Sequence, residues 1–185
     1  MKPSLSPLRS LISSLSLVAV TGVGMLAAEL DDKAAAFAKL ANGVIEQTVV
    51  GKLDVPAVSK DLNAMEDLAS WFANQYKAKH PAGAKLMDYM LAKKDSLHQM
   101  SLADIDAQFE SEAITKAHGK EIGLDLTVED NEHFGNPVDL FVHPATSYIC
   151  AQAWDKEHKA EQLKRIQSEL QEVVEHCQKV VAKLR

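Results

Sequence analysis

Residues 133–150 read HFGNPVDLFVHPATSYIC, and the conformation assigned to them separates a purely helical fold from one with a β insertion. The stretch sits between two amphipathic helical patterns, yet it carries two His, two Pro, a Gly and three aromatic residues. From Gly119 to Pro144, a span that overlaps it, the apolar residues show no period of 3.6. Two pieces alternate in the manner of strands instead: LDLTV, with Leu124, Leu126 and Val128, and VDLFV, with Val138, Leu140 and Val142. The intervening EDNEHFGNP is rich in turn formers. The expectation is a 25-residue irregular or β-hairpin insertion over 119–144, seated like a lid on a helical body.

The same region holds the candidate site. Six carboxylates and no Lys or Arg occur between Glu121 and Asp139, while His118, His133 and His143 stand at its ends and middle. A hairpin would bring His118 and His143 together and leave His133 at its tip. Neutral imidazole with a carboxylate suits a divalent transition metal. The predicted ligands are therefore His118, His133 and His143, completed or oriented by Glu121 or Asp139. The bland alternative is that each His caps a helix or occupies a turn; His118 lies near a helix C-terminus, where the dipole favours a cation. No H-E-x-x-H is present, and an EF-hand register starting at Asp130 fails because its twelfth position is Phe141.

Outside this region the patterns are helical. An Ala-rich helix over 31–50 has Phe37, Ala41, Val44 and Ile45 on one face and stops at Gly51. Val58, Leu62, Met65, Ala69, Phe72 and Tyr76 mark a second, with Pro56 in its first turn and a stop at KHPAG. A short helix covers 84–94, and Ser101 with Asp104 begins another that runs to a stop at Gly119. The final seam, Leu163, Ile166, Leu170, Val173, Cys177, Val180 and Leu184, steps regularly by 3 and 4; extended backward it predicts one helix of about 40 residues from Ala145, far beyond the usual ~11 to 12. The expected fold is all-α: a bundle of four to five helices with a long C-terminal helix and the 119–144 insertion.

The first residues, MKPSLSPLRSLISSLSLVAVTGVGMLAAEL, have the layout of a secretory signal, with basic Lys2 and Arg9, an apolar run and small residues after it. Cleavage is expected after Ala28, with Gly24 as the alternative, leaving residues 29–185 as a single periplasmic or secreted domain with no membrane segment. The whole chain has 20 Lys and Arg against 26 Asp and Glu, a net charge of −6, and losing Lys2 and Arg9 takes it to −8. That balance argues against nucleic acid as a partner and accommodates a cation. Cys150 and Cys177 are expected as buried free thiols: in one helix, 27 residues span about 40 Å, whereas bridged Cα atoms lie within about 7 Å.

Other chemistries fare less well. No C-x-x-C-H is present, which excludes covalent c-type haem by that motif; a non-covalent haem would look to His176, which lacks a Met on the first helix. Met87, Met90, His98 and Met100 are the donors a Cu(I) site would use, yet the two helical methionines read as core. No acid, base or nucleophile set for an enzyme emerges. Two functions follow: an exported helical protein that binds a metal or small ligand near the insertion, or an adaptor that acts through its long last helix as a homodimer or against a partner helix.

Overall fold

The computed structural model describes the chain at residues 12–109, 113–123 and 128–185, with side chains from Leu26 onward except at 115, 116, 120 and 128–133. The described residues are mostly helical, with no strand among them. Among the described residues there are seven α-helices, where four to five are expected: α1 Ile12–Val50, α2 Val55–Lys79, α3 Ala84–Leu97, α4 Leu102–Gln108, α5 Ala113–Ile122, α6 Val128–Glu157 and α7 Ala160–Leu184. A 3-10 turn, Pro81–Gly83, joins α2 to α3. No helix among the described residues is long and apolar enough to cross a membrane.

Local chemistry sets several of the ends. Gly51 stops α1 at φ +69°, a conformation glycine adopts without strain. Asp54 starts α2 by accepting from the Ala57 N–H at 3.1 Å, with Pro56 in the first turn. Ser101 starts α4 by accepting from the Asp104 N–H at 3.1 Å. Three features differ from expectation. The helix predicted from Ser101 to Gly119 is two: α4 ends at Gln108, with Phe109 as its C-cap, and α5 begins at Ala113. Gly119 does not terminate a helix: it is buried within α5, which runs on to Ile122 and turns at Gly123, φ +67°. The predicted 40-residue terminal helix is two helices, broken where His158 takes φ +53°. The break falls in the polar run DKEHK, where the apolar seam lapses at Lys156. The corner is closed by the Lys159 N–H donating to Gln162 Oε1 at 3.2 Å and by the Lys159–Glu157 ion pair at 2.8 Å.

The central difference concerns residues 133–150. They form no hairpin and no lid: from Val128 they are part of α6, with Pro137 and Pro144 inside the helix. Of the first strand-like piece, 124–128, residues 124–127 lie outside the described residues and Val128 is the first residue of α6. The reason for the second is burial. Val138, Asp139, Leu140, Phe141 and Val142 are all buried, so VDLFV is enclosed on every side, and a helix enclosed on every side has no polar face to reveal its period.

The four long helices pack in a ring, α1 on α2, α2 on α6, α6 on α7 and α7 on α1, while α3 and α4 also pack against α6. One core runs through the ring, from Phe37 on α1 and Phe72 on α2 to Phe141 on α6 and Leu170 on α7. The α7 seam is consumed by it: Leu163, Ile166, Leu170, Val173, Cys177, Val180 and Leu184 are all buried within the chain. The stripe that a partner helix would need is therefore covered by α6 and α1. Cys150 and Cys177 are buried free thiols.

Gly83 ties α6 to the α2–α3 turn, because a Cβ there would collide with the Phe134 ring. Replacing it with alanine should destabilise the protein by about 1–3 kcal/mol, the usual cost of overpacking a core contact, read as a lower urea midpoint. An unchanged midpoint would mean that Phe134 does not pack there.

Candidate metal centre

Helices α6 and α7 run antiparallel, as their contacts show: Asn136 meets His176, whereas His143, further along α6, meets Glu169, further back on α7. Where they cross, the apolar interface carries polar side chains from both helices. On α6, Asp139 and His143 are four residues apart and hence on one face. On α7, His176 precedes the buried seam residue Cys177. One donor atom from each of Asp139, His143 and His176 lies within 4.8 Å of the other two, the spacing at which a single ion could reach all three.

Each imidazole is held by a hydrogen bond at Nδ1. His143 Nδ1 lies 2.6 Å from Glu169 Oε2, and His176 Nδ1 lies 2.8 Å from Asn136 Oδ1. His176 Nδ1 is also 3.5 Å from Asp139 Oδ2. The two rings are nearly parallel, with centroids 5.3 Å apart and planes at 16°. Asp139 is only 6% exposed. Glu169 is shared: its other oxygen, Oε1, accepts from Arg165 Nε at 3.1 Å, and Arg165 Nη2 donates to Asp106 Oδ1 on α4 at 2.6 Å.

The electrostatics separate the two histidines. Burial pushes the His143 imidazole down, but the Glu169 hydrogen bond and the charges of Asp139, Glu169 and Glu172 outweigh it, so its pKa lies above the ordinary value. For His176 burial acts first and the positive charges of His143 and Lys179 add to it, pushing the pKa down to about 4. Without an ion, the pair accepts one proton readily and resists a second. An ion bound by both rings requires both neutral at the donor nitrogen.

The residues singled out from the sequence part company in the fold. Asp139 and His143 come together. His118 and Glu121 pair with each other on α5 instead, at 3.3 Å. His118 Nδ1 also lies 2.9 Å from the Tyr89 hydroxyl, and its ring packs between Tyr89 and Phe109, each 5.1 Å away. The His133 side chain lies outside the described residues. His176, which the sequence offers only as a haem candidate, is the member that sequence reasoning misses. The signal that finds it is a helical conformation for 133–150, since Asp139 and His143 then share a face that can meet the seam beside His176. Among the soft donors, Met87 and Met90 are core, and His98 Nε2 lies 2.7 Å from buried Glu66, with its ring stacked on Tyr148 at 4.1 Å. The thiols of Cys150 and Cys177 are pushed up by burial, to about 11 and about 12, the opposite of what a nucleophile or thiolate ligand needs.

Compared with protein families, with curated proteins and with solved structures, the chain matches none.

A group held neutral in the fold but free to charge when unfolded costs stability on acidification. His176, at about 4 when folded against an ordinary 6.5, should make chelator-treated protein lose stability as pH falls from about 6.5 to about 4. His176→Gln should remove that part of the loss. Urea midpoints measured across this window check it, and identical slopes in the two proteins would contradict it.

Proposed function

We propose that this chain is a helical metal-binding protein that holds one divalent transition-metal ion between α6 and α7 through Asp139, His143 and His176. The observation that carries the reading is the convergence of three donor atoms within 4.8 Å in a largely buried crossing. Two imidazoles and one carboxylate are a donor set for zinc or iron(II), and three protein donors leave a position for water or another small ligand. The oxygen-rich cages that calcium prefers are not of this type. Hydrogen bonds at Nδ1 of both rings support the reading, because metal-bound histidines nearly always donate their other N–H to an acceptor.

Protein purified without a tag and loaded with zinc should bind one equivalent by elemental analysis. His143→Ala and His176→Ala should each weaken binding by more than 100-fold, and thermal midpoints should rise with zinc in the wild-type protein alone. At a free ion concentration 100 times Kd the stabilisation amounts to about 2.7 kcal/mol. Equal zinc affinity in wild type and both variants would end the proposal.

We further propose that the protein is exported and cut after Ala28. The placement of the core supports this: Leu26 is exposed, Ala28 is exposed, and Leu30 is the first buried side chain among the described residues of α1. Removal of 1–28 therefore takes away no buried side chain among the described residues. The mass of the protein recovered from a secretion-competent host should correspond to a chain starting at Glu29, and recovery of the full-length mass alone would refute the cut.

A further inference from the structure

We infer that Glu169 is a positioning residue for this centre: braced by the Asp106–Arg165 pair, its carboxylate fixes the His143 ring so that Nε2 is the atom offered to the ion. The inference rests on the metal reading for its affinity consequence and on the geometry alone for its structural one.

A carboxylate accepts hydrogen bonds and donates none, so at 2.6 Å from Glu169 Oε2 the His143 Nδ1 must carry the hydrogen. In a neutral imidazole the other nitrogen then holds the lone pair. Glu169 is itself constrained at its second oxygen by Arg165 Nε at 3.1 Å, one turn earlier on α7. Arg165 is held in turn by Asp106 Oδ1 at 2.6 Å, from α4. The result is a directional chain, Asp106 to Arg165 to Glu169 to His143, that links three helices and ends on a ligand candidate. Its last members are shielded, the side chains of Glu169 and His143 being 17% and 13% exposed, so the final hydrogen bond is little screened by water. An ion pair that served stability alone would gain nothing from holding one tautomer of a ring beside Asp139 and His176. An arrangement that presents a ligand does, and outer partners of this kind are worth about 10–100-fold in metal affinity.

The test uses the full chain labelled with 15N-histidine and stripped of metal with EDTA, at a pH where the imidazoles are neutral, followed by zinc titration. Wild-type protein should show His143 as the Nδ1–H tautomer. Glu169→Leu should shift it toward the Nε2–H form and weaken zinc binding by about 10–100-fold, with Glu169→Gln and Arg165→Gln intermediate. Asp67→Asn, which removes a surface carboxylate from an exposed pair with Lys94, should change neither. If Glu169→Leu fails to fold, Glu169→Gln carries the test, since it keeps the shape but loses the charge and one of the two acceptor oxygens that serve His143 and Arg165. An Nε2–H tautomer in wild type, or an unchanged tautomer and zinc affinity in folded Glu169 variants, overturns the inference. Should wild-type protein bind no zinc, the metal reading falls, while the tautomer comparison still decides the role of Glu169.

Discussion

The enclosure of α6 governs how everything else in this molecule is arranged. This helix packs against α2, α3, α4 and α7 and contains two prolines that local rules place at helix starts or in turns. A proline in a helix interior costs roughly 3 kcal/mol through a lost hydrogen bond and a clash with the preceding turn. Against two such costs stand Phe134, Val138, Leu140, Phe141 and Val142, each almost wholly buried and each worth about 1.5–3 kcal/mol when removed from water. Tertiary burial outweighs the local preference, and the helix continues through both prolines. Gly83 shows how close the fit is, since the Phe134 ring occupies the space a larger side chain would need.

The same packing creates the polar crossing. An interface built from Val138, Phe141, Leu170 and Val173 is a costly place for Asp139, Glu169 and two imidazoles, because desolvated charge must be paired. The structure pairs it closely: each histidine has an acceptor at Nδ1, and the acceptor of His143 is itself held by Arg165. Replacing buried ionic side chains with well-packed apolar ones is often neutral or stabilising. Their presence makes sense if the crossing has work to do, and a cation is what its chemistry suits. The separation of the two imidazole pKa values, one up and one down to about 4, has the same origin. Burial pushes both imidazoles down, but at His143 the Glu169 hydrogen bond and nearby carboxylates outweigh it, whereas at His176 the charge of His143, with ring centroids 5.3 Å apart, adds to it.

Much of this is legible in the residues. Helices with one polar face declare themselves: the α2 stripe from Val58 to Tyr76 and the α7 seam from Leu163 to Leu184 are buried as their spacing requires. Caps are legible too, because Asp54, Ser101 and Gly51 act within a few bonds of their own backbone. Cys150 and Cys177 are free thiols as expected, but the single helix behind that expectation is broken at His158; they stay apart because, at 3.6 residues per turn, Cys150 lies about two turns and Cys177 about five turns from the corner. Two members of the candidate centre, Asp139 and His143, stand out by their chemistry and their place in a segment rich in imidazole and carboxylate.

Order along the chain dictates whatever depends on neighbours within about one turn: the all-α class, the amphipathic faces, the caps and the donor types at the candidate centre. Packing in three dimensions settles whatever depends on burial from several sides at once. Alternation in VDLFV mimics a strand only because both faces of that helix are covered, and no local pattern distinguishes the two cases. His118 and His143 are drawn to different neighbours, and His176 is brought to Asp139 from a separate helix, because the antiparallel register of α6 on α7 is set by the core as a whole. Spacing reports which residues share a helix face, but which faces meet is a property of the assembled core.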